Sequence, residues 1–253
     1  MNVLLRWSTK IGVIGGILLG TLLTGTAQVQ ALTEAQVIER LRPVPVFTIT
    51  DAEGAPLVAS PAEGEDGPLV AGVFISQEDA QNFLNNLRTQ NPELANGVRI
   101  APVSLAEVYQ LALQSQQDQS DLEFTFIPMR QEVETALSIL QESGQNVENF
   151  EGVPLFIARA ESADGGYLTI RQGERQVIPV FFEQASLQQM LTRLRQEDAT
   201  LADSMVVQVI NLENLIQTLQ ESDNEGLTQI ELIPPQSSID FVRSLQPQQP
   251  PTP

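Results

Sequence analysis

Val73-Phe74-Ile75-Ser76-Gln77-Glu78-Asp79-Ala80-Gln81-Asn82-Phe83-Leu84-Asn85-Asn86-Leu87-Arg88 opens a stretch, ending at Leu113, that the chain states twice. Laid without a gap on Val180 to Gln220, an offset of 107 residues, it agrees at 11 of 41 positions. The identities are Val73, Phe74, Gln77, Gln81, Leu84, Leu87, Arg88, Leu94, Ala95, Leu105 and Gln110. Polarity is kept elsewhere: Phe83 falls on Met190, Ile100 on Val207, Val103 on Ile210 and Val108 on Leu215. Val44-Pro45-Val46-Phe47 returns as Val153-Pro154-Leu155-Phe156, and Phe126-Ile127-Pro128 as Leu232-Ile233-Pro234. So long a period is the size of half a domain or a small whole one, not of a solenoid unit. The simplest reading is a duplicated unit with a pseudo-twofold axis.

Within the unit the apolar spacing alternates between strand and helix periods. Val44–Thr50 reads as a strand, placed at a sheet edge by Pro45. Asp51–Gly54 is a turn, and Leu57–Ala59 a second strand. The apolar run Leu69–Ile75 reads as a strand buried on both faces. Ser76 caps a helix with Ala80, Phe83, Leu84 and Leu87 on one side, ended by Asn91-Pro92. Val98–Val103 is a strand, and Ser104 caps a helix striped by Leu105, Val108, Tyr109 and Ala112. Gln114–Ser120 reads as a polar loop, Leu122–Ile127 as a strand, and Val133, Ala136, Leu137 and Leu140 as the face of a third helix. The second unit repeats this, with strands at Val153–Ala158, Tyr167–Arg171, Gln176–Phe182, Met205–Ile210 and Leu227–Ile233. Its helices run at Ala185–Gln196, Leu212–Glu221 and Ser237–Leu245. A short helix, Thr33–Leu41, precedes both.

Each half is thus β-β-β-α-β-α-β-α. The fold class is α/β (α+β): an internally duplicated mixed β-sheet with flanking helices, pseudo-twofold symmetric. The spacing leaves open whether the halves share one sheet or form two lobes. The expected layout is a signal peptide over 1–31, a domain over 32–246 made of repeats at about 44–143 and 152–245, and a disordered Pro-rich tail over 247–253.

Arg6 and Lys10, the apolar Ile11–Leu23 and the small residues of Val29-Gln30-Ala31 have the form of a secretory signal. Its apolar core is shorter than the roughly 20 residues of a membrane span; an uncleaved anchor is the alternative. No acid precedes residue 32, so loss of Arg6 and Lys10 takes the net charge from −19 to −21. From Leu32 onward there is no Lys, His, Cys or Trp, and the side-chain cations are all arginine.

These absences exclude whole classes of chemistry from that part of the chain. There is no imidazole base, thiol nucleophile, Schiff-base lysine or Cys/His zinc site. The acidity disfavours nucleic acid and anionic lipid headgroups. Three acid groups, Asp51/Glu53, Glu63/Glu65/Asp66 and Asp121/Glu123, could serve a carboxylate-dependent hydrolase, but all sit in turns or loops of an acidic protein and are not duplicated. Asp223-Asn224-Glu225-Gly226 lacks the ligand ladder of a calcium loop, with Pro234 at the twelfth position, and reads as a polar turn. Gly64–Gly67 and Gly165-Gly166 lack the lysine of a phosphate cradle. Arg88 and Arg195 occupy matched places late in matched helices, suited either to gripping a carboxylate or to the helix dipole. No catalytic residue, metal or cofactor is expected.

What remains is apolar surface. Phe83, Leu87, Tyr109, Met190, Leu194 and Ile216 are candidate linings of a client-binding groove, against the plainer reading that they are core.

The ordered motifs Val44-Pro45-Val46-Phe47-Thr48-Ile49-Thr50-Asp51, Val73-Phe74-Ile75-Ser76 with its Ala80-to-Leu87 helix, and Val153-Pro154-Leu155-Phe156 resemble the Tic twenty-two family, named for the chloroplast inner-envelope translocon. The resemblance covers about Thr33 to Leu245, and the bacterial type of signal suits its cyanobacterial branch. It implies a non-enzymatic protein of the periplasm or thylakoid lumen. It also implies chaperone-like escort of unfolded precursors, including outer-membrane β-barrel proteins and their assembly machinery. It supplies no catalytic residues and no client-binding motif. The expected function is an ATP-independent holdase in protein transport, without nucleic-acid partners and without a membrane span after signal cleavage. The alternative is a carrier of a small apolar ligand, a lipid or a pigment.

Overall fold

The computed structural model describes residues 32–61, 67–162, 165–222 and 224–245. The expected signal peptide, the acids Glu63, Glu65 and Asp66, and the Pro-rich tail lie outside these. The first half runs α1 (Glu34–Leu41), β1 (Pro45–Thr50), β2 (Val58–Ala59), β3 (Leu69–Phe74), α2 (Gln77–Gln90), α3 (Pro92–Asn96), β4 (Arg99–Ser104), α4 (Leu105–Gln117), β5 (Leu122–Ile127) and α5 (Arg130–Glu142). The second runs β6 (Pro154–Ala160), β7 (Ile170–Gln172), β8 (Arg175–Phe181), α6 (Gln184–Glu197), α7 (Ala199–Asp203), β9 (Met205–Asn211), α8 (Leu212–Glu221), a 3-10 turn at Glu225–Gln229, β10 (Ile230–Ile233) and α9 (Gln236–Leu245).

The halves form two separate sheets of the same plan. One has β5-β3-β1-β4 with β2 beside β3; the other has β10-β8-β6-β9 with β7 beside β8. β3–β5 and β8–β10 are parallel pairs and the rest antiparallel, so each sheet is mixed as expected. Helices α2 and α4 begin where the sequence placed caps: Ser76 Oγ accepts the Asp79 N–H and Ser104 Oγ the Glu107 N–H; at the start of α8, Asn211 Oδ1 accepts the Asn214 N–H in the same way.

Side chains alternate along the strands, and in the inner strands β1, β3, β6 and β8 both faces are apolar. Val44, Val46, Val73 and Ile75 meet Val153, Leu155, Ile157, Ile178, Val180, Phe182 and Leu232 in one central core. α1, α4 and α8 add Val37, Leu41, Leu105, Val108, Leu212, Leu215 and Leu219 to it. The intervening residues face outward: Phe47, Ile49 and Phe74 on the first sheet, Phe156, Ala158 and Phe181 on the second.

Each outer face is covered by one helix of its own half and one of the other. α2 lays Ala80 and Leu84 on the first sheet, where Phe241 of α9 joins them. α6 lays Leu187 on the second sheet, where Ala136 and Ile139 of α5 join it. The last helices of the two halves are therefore exchanged. Phe241 meets Phe47 edge to face, ring centres 5.5 Å apart at 73°.

Five details differ from the sequence reading. β1 lies inside its sheet rather than at an edge. Pro45 is tolerated because β1 pairs with β3 only at Phe47 and Thr48, past the missing N–H. Asn91-Pro92 does not simply stop a helix: Asn91 Oδ1 accepts the Leu94 N–H and Pro92 starts α3, as Asp198 caps α7. The expected polar loop at Gln114 is helical as far as Gln117. Tyr167 makes an isolated bridge to Arg159 ahead of β7, and Leu227 lies in the 3-10 turn ahead of β10.

Phe241→Ala should cost about 2 kcal/mol, less than a fully buried phenylalanine because the ring is half-buried. Hydrogen exchange should show the loosening in β1 and α2 of the opposite half. Loosening confined to β8 and β10 would contradict the exchange.

Candidate functional site

The six candidate groove residues fall in three places. Phe83 and Leu87 lie on α2 over the outer face of the first sheet. Phe83 is 41% exposed and rests on Phe74, ring centres 5.4 Å apart. Met190 and Leu194 lie on α6 over the outer face of the second sheet, half-buried. Tyr109 and Ile216 lie instead with the central core; Tyr109 is buried, and its hydroxyl accepts a bond of 2.8 Å from Gln220 Nε2. The structure therefore gathers the α2 pair and the α6 pair at matched outer positions. It does not bring the six together.

Two residues of the repeat complete the outer sets. Leu94 on α3 is 41% exposed and its counterpart Leu201 on α7 is 38% exposed. Both are repeat identities, so the sequence marked them as preserved. It could not mark them as exposed, because a preserved leucine reads as core. Each half thus presents a helix pair with apolar side chains reaching its surface: Phe83 and Leu94 exposed and Leu87 half-buried on α2–α3, Leu201 exposed and Met190 and Leu194 half-buried on α6–α7. Arg88 and Arg195 stand in the last turns of α2 and α6. Arg195 is spent on Asp203 at 2.7 Å, and Arg88 Nη1 donates to Asn85 Oδ1.

Among the described residues the flagged acids sit in two separate places. Asp51 Oδ1 accepts the Ala55 N–H within its turn. Asp121 and Glu123 line an open depression of about 460 Å3 with Gly67, Pro68 and Ser120. A second depression of about 460 Å3 is lined by Phe150, Glu151, Gly152, Asn211, Glu213 and Asn214. Neither is an enclosed apolar cavity, so neither supports a lipid or pigment carrier. Among the described residues no cluster of acids could hold a metal ion. Asn224 Oδ1 accepts the Gly226 N–H, as a polar turn requires.

The carboxylates that the structure does perturb are others. Glu213 is pushed above the ordinary carboxylate range by burial, against the pull of bonds from its own N–H, the Val153 N–H and Asn211. A side chain on Gly152 would meet Glu213 and Asn211, so the chain enters β6 at φ +76° beneath them. Glu132 on α5 is raised by burial first and by Glu183 last, while the Gln184 N–H lowers it. Glu132 Oε2 accepts that N–H at 3.0 Å, and Glu183 Oε2 accepts the Gln236 N–H at 3.1 Å. At the place matching Glu132, Ser238 on α9 donates to the Ile75 carbonyl at 3.2 Å. Both exchanged helices are thus pinned at their first turns to the strand-to-helix junction of the other half. The signal was legible: Glu132 and Ser238 stand 106 apart, the offset of the Phe126 and Leu232 motifs.

The profile of the Tic22-like family matches residues 17–244. Protein TIC 22, chloroplastic, of Pisum sativum is 25% identical over 213 residues, which is 84% of this chain and 77% of that one. Protein TIC 22-like, chloroplastic, of Arabidopsis thaliana is 26% identical over 211 residues, 81% of this chain and 62% of that one. Among solved structures, Anabaena Tic22, assigned to protein transport, superposes with a TM-score of 0.74 at 31% identity. That match covers 87% of this chain and 100% of the Anabaena chain. Tic22 from Plasmodium falciparum, at 23% identity and a TM-score of 0.64 over 83% of this chain and 96% of its own, shares the fold.

The Glu132 pin carries a pH signature. Its folded value lies above its ordinary one, so the carboxyl favours folding most when protonated. That contribution is complete below the ordinary range and fades as pH rises through the raised value. Glu132→Gln, which keeps the acceptor oxygen, should equal or exceed the parent in stability at pH 7 and lose that margin towards pH 4. Glu132→Ala should lose about 1 kcal/mol at pH 7 with its hydrogen bond. Denaturant titrations across that range decide; a Gln variant much weaker at pH 7 than at pH 4 would refute the sign.

Proposed function

The chain belongs to the Tic22-like family, and from that premise we propose that it is a non-enzymatic, ATP-independent chaperone in protein transport. It escorts unfolded precursor proteins, outer-membrane β-barrel proteins among them, towards their assembly machinery. It works outside the cytoplasm, in the periplasm, the thylakoid lumen or both, once residues 1–31 have been removed. The mature unit is the duplicated domain over 32–246.

The observation that carries this reading is the twice-made apolar display of α2–α3 and α6–α7. Phe83, Leu94 and Leu201 are each more than a third exposed at positions where a soluble helix usually carries polar groups. Chemistry supports it from the other side, since residues 32–253 contain none of the side chains of a nucleotide-phosphate lysine, an imidazole base or a thiol. Without nucleotide, release is passive and affinity for each segment is modest. Among the described residues no helix is long and apolar enough to cross a membrane.

The purified chain at several-fold molar excess should suppress aggregation of a denatured outer-membrane β-barrel protein diluted into buffer without ATP. Phe83→Ser combined with Met190→Ser should weaken that suppression several-fold. Because Phe83 is 41% exposed and Met190 half-buried, the pair should cost no more than about 2 kcal/mol in stability. No suppression by the parent would sink the proposal. A larger stability loss in the double variant would return both side chains to the core.

A further inference from the structure

We propose that the outer edge of β9 binds an extended segment of another polypeptide as an added strand. This rests on the reading that the chain holds unfolded polypeptides, and it names how one is held. In an antiparallel ladder, residues turn their N–H and C=O alternately to one neighbour and the other. The Leu212 N–H bonds to the Val153 carbonyl, which fixes the phase. Val206, Gln208 and Ile210 then face β6, opposite Arg159, Ile157 and Leu155. Consistently, Ala158 and Ala160 spend their backbone on the other side, towards Leu168 and Gly166. Met205, Val207, Val209 and Asn211 therefore aim their N–H groups away from the sheet. Among the described residues no strand but β6 pairs with β9, and no backbone or side-chain bond reaches those four N–H groups.

The matching edge in the first half is blunted at the same places. There the Leu105 N–H bonds to the Val44 carbonyl, so Ile100, Pro102 and Ser104 face outward on β4. Pro102 has no N–H, and the Ser104 N–H is taken by Glu107 Oε2 at 2.6 Å. Arg99 adds a charge to that edge, donating to the Ala52 carbonyl. In β9 the same three places carry Val206, Val209 and, at the third position of α8, Asn214, whose side chain does not reach back. Met-Val-Val-Gln-Val-Ile-Asn holds no charge, proline or glycine, and all seven residues are half-buried. Of the other strands that end the two sheets, β5 carries Glu123 and the four-residue β10 carries Glu231, while the side strands β2 and β7 are only two and three residues long. Natural sheets protect free edges with charges, prolines and short strands, and β9 uses none of these.

The chemistry of the edge names its occupant. Outward N–H and C=O groups at every second residue are complemented by the backbone of another strand. Val207 and Val209 on one face, Val206 and Ile210 on the other, favour a β-branched or aromatic segment. A second copy of this chain is disfavoured by its net charge of −19, which repels itself and suits a neutral or basic segment.

The probe is a fluorescein-labelled peptide of eight alternating threonine and valine residues with a lysine at each end. The intact chain should bind it, and hydrogen exchange at the Val207 and Val209 amides should slow several-fold when it is added. Val209→Pro installs the residue that β4 carries at the matching position. It should weaken binding at least tenfold with little change in melting temperature, because the N–H it deletes has no partner in the free fold. Equal binding by Val209→Pro, or binding without protection of those two amides, overturns the proposal. A self-association that Val209→Pro abolishes, seen by sedimentation without peptide binding, overturns the choice of occupant. If the parent binds no peptide yet still suppresses aggregation, the edge is wrong and the chaperone reading stands; if it does neither, both fall.

Discussion

Burial of both faces of both sheets is the constraint from which the rest of the molecule follows. A strand such as Pro154-Leu155-Phe156-Ile157-Ala158 sends Leu155 and Ile157 to the central core and Phe156 and Ala158 outward, all of them buried. The inner faces cover each other. The outer faces need helices, and each is closed by one helix from each half. Large side chains fully buried in the second half alone include Leu155, Phe156, Ile157, Phe182, Leu187, Leu212 and Leu219. At roughly 1.5–3 kcal/mol apiece for full burial, uncovering even a few would exceed the roughly 5–15 kcal/mol by which a domain is stable. Neither half can therefore exist as a free unit in this form, and the two sheets are one cooperative body. Arg40 adds a further tie: from α1 it donates to the Leu227 and Thr228 carbonyls ahead of the second half's last strand.

Duplication, the order of the longer elements and the two-faced run Leu69–Ile75 were legible because they are properties of spacing; the short α3 and α7 were not. The exchange of α5 and α9 was not. An apolar stripe such as Val133, Ala136, Leu137 and Leu140 is the same whichever sheet it covers, so period alone cannot name the partner. Pro45 misled for a related reason: its missing N–H forbids a bond on one side only, and that side is vacant here because β3 stops pairing at Phe47. The groove residues show the same limit. Phe83 and Tyr109 both sit at helical spacing with apolar neighbours, and sequence treats them alike. Tyr109 is buried because α4 packs into the central core; Phe83 is exposed because α2 lies on the outside of the stack. Layer, not residue type, decides exposure, and layer is a tertiary property.

The two halves keep their plan and differ in how they finish it. Glu132 and Ser238 occupy matching places and perform matching tasks with unlike groups, a carboxylate accepting an N–H and a hydroxyl donating to a carbonyl. The carboxylate carries a burial cost that the hydroxyl avoids, so only one of the two pins responds to pH. The β4 and β9 edges diverge in the same manner. A single unit whose free edge must be both closed for solubility and open for recognition faces a conflict. A duplicated unit separates the demands, closing one edge with Pro102 and Glu107 and leaving the other bare.

A bare edge is ordinarily an aggregation hazard, since identical strands are ideal partners for each other. The composition answers that hazard without touching the edge. With 32 acids against 13 basic residues, copies of the chain repel one another at neutral pH before any two edges can meet. A flexible precursor segment that is neutral or basic meets no such barrier. Long-range charge selects against self and short-range backbone geometry selects for extended chain, so two unspecific forces together give a preference that neither has alone. The acidity that disfavours nucleic acid and anionic lipid is then part of how the apolar and hydrogen-bonding surfaces stay available.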